Sequence, residues 1–241
     1  MKKLIILIMA FASLFFFQHQ KAGGKKQEVI KNDTDFILRK FDKDYYHAIF
    51  IERNRNSKYY KDLTDFTMHK YDTDDYLSNC DYLKKRFHSP LKKYDLNNFP
   101  KEWMPLYRYK GKYYIYYPSE WGLKDRTIFT DSTLVYWNME GPYPNPIKLF
   151  KKINNNTWQI KARTLFPNDR QDFHYIIHMI DTVNQIAIWE NENEKGPYRF
   201  DFYIPKEKAK NFDLIVNYCL QGKFNEFGFD VIDFEALLKR N

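Results

Sequence analysis

His174 and His178 are the pair whose spacing comes nearest to metal chemistry. On a helix, imidazoles four residues apart share a face and can hold zinc. The segment FHYIIH (173–178) reads as a strand, however, where that spacing separates the side chains by about 13 Å at roughly 3.3 Å per residue. Tyr175 also stands where the HExxH motif needs Glu, so no metal site is expected. His47, His69 and His88 are scattered and show no ligand spacing. Glu120, Asp125, Glu140, Glu190 and Glu192 lie near predicted loops. They could supply the two carboxylates of a glycoside hydrolase, but that chemistry requires a defined separation, which sequence does not fix. No GxSxG elbow surrounds Ser57, Ser78, Ser89, Ser119 or Ser132, and no Gly-rich phosphate loop is present. No catalytic residue and no cofactor is assigned.

Two aromatic residues point to binding instead. Trp121 (in PSEWG) and Tyr143 (in GPYPNP) fall on predicted loops, where an exposed ring is informative. If the sheet curls, these connections rim the mouth of a cup and the two rings frame a ligand site. Cys80 and Cys219 allow a single disulfide, closing a loop of about 140 residues. The alternative is two separately buried thiols. Both cysteines sit on apolar stripes, which argues against a thiol nucleophile.

The elements that must position these residues divide at about residue 100. Residues 25–99 hold no Gly, no Trp and one Pro, which suits helices packed on a sheet. Tyr76, Cys80, Leu83 and Phe87 mark one helical face, ended by Ser89-Pro90. A second helix is expected over 35–44, and 46–51 reads as a strand or a buried turn. From 100 to 205 turn signals recur between short alternating runs, as in a meander. In 157–164 the inward set is Trp158, Ile160 and Ala162; in 198–204 it is Tyr198, Phe200, Phe202 and Ile204, with Arg199 and Asp201 outward. Helices are expected again over 209–220 and 234–239. The fold class is therefore α+β: an antiparallel meander of about nine strands, curled or barrel-like, with flanking N- and C-terminal helices. This layout loosely resembles calycin-type barrels, but no residue motif carries a family name. Residues 25–99 and 100–241 are read as one globular unit.

The first 24 residues read as a secretory signal peptide: Lys2 and Lys3, an apolar run from Leu4 to Phe17, then Ala22-Gly23-Gly24. That run of 14 residues is short for a membrane span, which needs about 20. Removal of Lys2, Lys3 and Lys21 lowers the formal charge from +8 to +5, and the remainder is spread along the chain. Export and the lack of a basic stripe argue against nucleic acid. The 19 % aromatic content fits strand sterics as well as a binding role. The expected function is non-enzymatic binding of a glycan, a small apolar molecule or a protein partner, in the periplasm or at the cell surface of a bacterium. An extracytoplasmic hydrolase and an exported inhibitor or immunity-type protein are the alternatives.

Overall fold

The computed structural model describes residues 35–43, 45–88, 90–120, 124–165, 172–220 and 226–239. The expected signal peptide and Trp121 lie outside these residues. Contacts divide the chain into units 1–33 and 34–241, and every described residue belongs to the second. In chain order it contains β1 (Asp35–Asp42), β2 (Tyr45–Glu52), α1 (Lys58–Leu63), α2 (Lys70–Phe87), β3 (Glu102–Tyr109) and β4 (Lys112–Tyr117). Then follow β5 (Arg126–Phe129), β6 (Thr133–Asn138), β7 (Gly141–Asn154), β8 (Thr157–Ala162), β9 (Phe173–Asp181) and β10 (Ile186–Asn191). The last elements are β11 (Phe200–Pro205), β12 (Asp213–Cys219) and α3 (Phe234–Leu238). Among the described residues no helix is long and apolar enough to cross a membrane.

Strands β5 to β11 follow one another around a barrel, and β3 closes it by pairing with both β11 and β5. Short turns between alternating strands force sequence neighbours to pair antiparallel, and closure leaves that sheet without edges. The last residues of β3 leave the barrel to pair with β4 across the Lys110-Gly111 turn, where both residues have positive φ. Beyond β4 lie β12, paired in parallel, then β2 and β1. The meander of about nine strands is thus a closed eight-stranded barrel with four further strands attached.

Seven of the eight barrel strands contribute a buried side chain to one lumen core: Trp103, Phe129, Leu134, Ile147, Ile160, Ile177 and Trp189. Full burial of each aliphatic side chain is worth about 1.5–3 kcal/mol. The inward assignment of Trp158, Ile160 and Ala162 agrees with this core. On α2, Cys80 and Leu83 are buried as the helical stripe requires. The helix is capped at His69, whose backbone N–H donates to the Asp72 carboxylate at 3.1 Å.

Three expectations are corrected. The helix expected over 35–44 is strand β1, fixed by pairing with β2 from Asp35↔Ile51 to Asp42↔Tyr45. Among the described residues of this part, β1 and β2 therefore stand beside α1 and α2. The helix expected over 209–220 is a short 3-10 turn followed by β12, buried on both faces, whose apolar run mimics a helical stripe. Finally, the GPYPNP segment is the start of β7 rather than a loop. Its residues 141–146 pair with β6 alone, and β8 joins β7 only from Ile147. The edge facing away from β6 needs no ladder donors there, so Pro142, Pro144 and Pro146 are tolerated.

Candidate functional site

At one end of the barrel, where β3 turns out into the side sheet, lies a cavity of about 640 Å³. Pro105–Arg108 of β3 and Phe200–Tyr203 of β11 form its wall, Asp125 enters just ahead of β5, and residues 229–235 cross its outer side. That crossing segment is tied down at several points. Phe229 stacks on Tyr107 at 4.4 Å, and the Asp230 N–H donates to the Arg108 carbonyl at 2.8 Å. The Asp230 carboxylate accepts from the N–H groups of Gly111 and Lys110 at 3.0 Å each, which holds it below the usual carboxylate range. Further along, Phe234 packs on Phe200 and Phe202.

Register assigns the cavity side chains. Asp201 pairs with Trp189 and Tyr203 with Ala187, both lumen residues, so Asp201 and Tyr203 face the lumen. Asp125 has the same parity as Thr127 and Phe129, and Phe129 belongs to the lumen core. Tyr203 stacks on Trp189 at 4.4 Å, and Trp189 packs on Trp103 at 5.4 Å, so a column of rings runs from the cavity into the core. The Trp189 indole N–H is buried without an acceptor.

Asp125 and Asp201 are both solvent-exposed where they line the cavity, and the protein packed around them removes only part of their hydration. Burial raises the Asp125 carboxyl and pushes Asp201 up to about 6. Among the described residues no Lys, Arg or His stands within ion-pair distance of either carboxylate. Burial, and then the charge of Asp201, push the Tyr107 and Tyr203 phenols upward. The site therefore presents two carboxylates and two protonated tyrosines against aromatic walls at neutral pH.

Sequence reading placed Phe200, Phe202 and Ile204 on the buried face and Asp201 on the wet face, and the structure does bury the three and expose Asp201; it differs in putting Asp201 on the lumen side. Phe200, Phe202 and Ile204 are buried outside the lumen, Phe200 and Phe202 beneath α3, with Phe202 also against Tyr113 at 5.2 Å. Tyr198, assigned inward, is 75 % exposed. A signal was present in the strand FDFYIP: its second face carries Tyr203 and Pro205, so both faces are apolar and Asp201 is the exception.

The remaining predicted residues are dispersed. Tyr143 is a half-buried residue of β7, opposite Tyr136, and its hydroxyl donates to Glu140 at 2.8 Å. Glu190 is held by Arg199 and His178, at 2.5 and 3.3 Å. His174 and His178 lie on the strand predicted for them, and among the described residues no group of three metal-ligating side chains forms. The Cys80–Cys219 disulfide is absent: Cys80 is buried on α2, which packs on β7, while Cys219 ends β12 opposite His47. Burial pushes the Cys80 thiol upward.

Fold and cavity define an antiparallel eight-stranded barrel with a polar pocket at one end. No protein-family model matches the chain, and neither the curated proteins nor the solved structures contain a significant match.

Proposed function

We propose that this chain is an exported, non-enzymatic binding protein that holds a small molecule in the barrel-end cavity. One observation carries the reading: a cavity of about 640 Å³ whose lumen-facing carboxylates, Asp125 and Asp201, lack a counter-charge from the described residues. Unpaired, partly desolvated charges lower stability and are retained where a ligand uses them. The volume lies within the usual range for small-molecule sites. Export rests on residues 1–24.

Two measurements test this. Exported protein should begin near Lys25, and an intact Met1 on a membrane-bound form would refute cleavage. Equilibrium dialysis against a small-molecule extract of the producing cells, read by mass spectrometry, should enrich compounds with the native chain. Enrichment should be lost with Asp201→Arg, which puts a bulkier side chain of opposite charge into the cavity. A native chain that enriches nothing, or a folded Asp201→Arg variant that enriches the same compounds, would refute the site. The raised carboxyl of Asp201 also favours a second reading, a hydrolase using it as proton donor. Products appearing in the dialysed extract, dependent on Asp201, would support that reading over the first.

A further inference from the structure

We infer that the ligand of this cavity is an organic cation, an ammonium or guanidinium compound with an apolar body, seated between Asp125 and Asp201 and the aromatic wall. The inference rests on the cavity being the binding site. It starts from a charge contrast. The chain carries a formal charge of +8, yet the cavity is lined by five acids, Asp125, Asp201, Asp230, Asp233 and Glu235, against one base, Arg108.

Three of the acids are engaged by the protein. Asp230 accepts two backbone N–H groups, Asp233 caps α3 by accepting from the Ala236 N–H at 2.9 Å, and Glu235 lies 3.7 Å from Arg199. Asp125 and Asp201 are the two left for a ligand. Arg108 makes no ion pair with them, and its Nε is itself buried without a partner. The Trp189 side chain, 3 % exposed and with its N–H unmatched, faces the same lumen across the strand pair from Asp201.

A neutral polyol can donate to a carboxylate but leaves its charge uncompensated. A cation cancels that charge, and its apolar body packs against Tyr107, Tyr203 and Phe229, which line the cavity beside the carboxylates. The groups facing Asp201 are Tyr107, Tyr175 and Tyr203, with Asp125, Arg108, Asp230, Asp233 and Glu235 around the cavity. Tyr107, Tyr175 and Tyr203 stay protonated below pH 8, and Asp230 stays ionised above its lowered range, so the response near pH 6 comes from Asp201 together with the raised Asp125 carboxyl.

The test titrates the full chain with choline and with its uncharged isostere 3,3-dimethyl-1-butanol. Choline should bind about tenfold more tightly or better, and Asp201→Asn should remove most of that preference. Because a cation favours ionised Asp201, lowering the pH from 7.5 to 5 should weaken choline by up to about tenfold. Equal binding of the isostere, an unchanged preference in Asp201→Asn, or tighter choline binding at pH 5 would overturn the inference. If choline does not bind, the dialysis extract decides. An enriched set lacking cations overturns the inference while the cavity reading stands. Cations enriched by the native chain and lost with Asp201→Asn uphold it, and no enrichment at all refutes both.

Discussion

Replacing Asp201 by Asn should make the protein more stable at neutral pH. Burial places the folded carboxyl at about 6, against an ordinary value of 3.8. The folded chain therefore keeps a proton between those pH values that the unfolded chain releases, and native stability falls as pH rises through that window. By pH 7.5 the whole penalty is present. At 1.36 kcal/mol per pH unit its upper bound is ~3 kcal/mol. Since water reaches Asp201 through the cavity, screening reduces this to about 1–2 kcal/mol. For a domain of this size that corresponds to a rise in Tm of about 2–8 °C for Asp201→Asn. Thermal melts of both proteins at pH 7.5 and at pH 3.5 provide the assay. The difference should be largest at pH 7.5 and nearly disappear at pH 3.5, where the native carboxyl is protonated in the folded chain and mostly so in the unfolded one. Carboxylates common to both proteins cancel in the comparison. An Asn variant that melts at or below the native temperature at pH 7.5 would show that Asp201 has a stabilising partner and would remove the premise of an unmatched carboxylate.

Trp158→Ala should lose about 3 kcal/mol, because the ring packs on Phe99 at 5.4 Å within the lumen core; chemical denaturation measures it. Tyr143→Ala should lose only about 1 kcal/mol, the scale of a cross-strand pair with Tyr136, and a loss equal to that of Trp158 would make it a core ring. Asn217→Ala should cost about 1–3 kcal/mol, since the Asn217 Oδ1 accepts from the His47 Nε2–H at 2.7 Å and its amide nitrogen donates to the Tyr116 hydroxyl at 3.0 Å in the buried side sheet. Reductant should leave Tm unchanged, and Cys80 and Cys219 should alkylate only in denaturant, consistent with two buried thiols and no bridge; a reductant-induced fall in Tm would contradict this.

Local pattern sufficed for much of the barrel. Turn residues at regular intervals and period-two runs located β8, β9 and β11, and short connections dictated antiparallel neighbours, because both follow from backbone geometry within a few residues. The stripe at Tyr76, Cys80, Leu83 and Phe87 determined α2 in the same way. Other features depended on partners distant in sequence. The segment 35–42 became a strand because β2 offers a ladder, and β12 became one because β2 and β4 flank it. The prolines of β7 fit a strand only because β8 begins pairing at Ile147. Above all, the polarity of β11 was undecidable locally. Alternation separated Asp201 and Tyr203 from Phe200 and Phe202, but α3, arriving from residues 234–238, covers the phenylalanines outside the barrel and leaves the aspartate facing the lumen. Sequence periodicity determines which side chains share a face of a strand; only the packing of remote elements decides which face encloses the site.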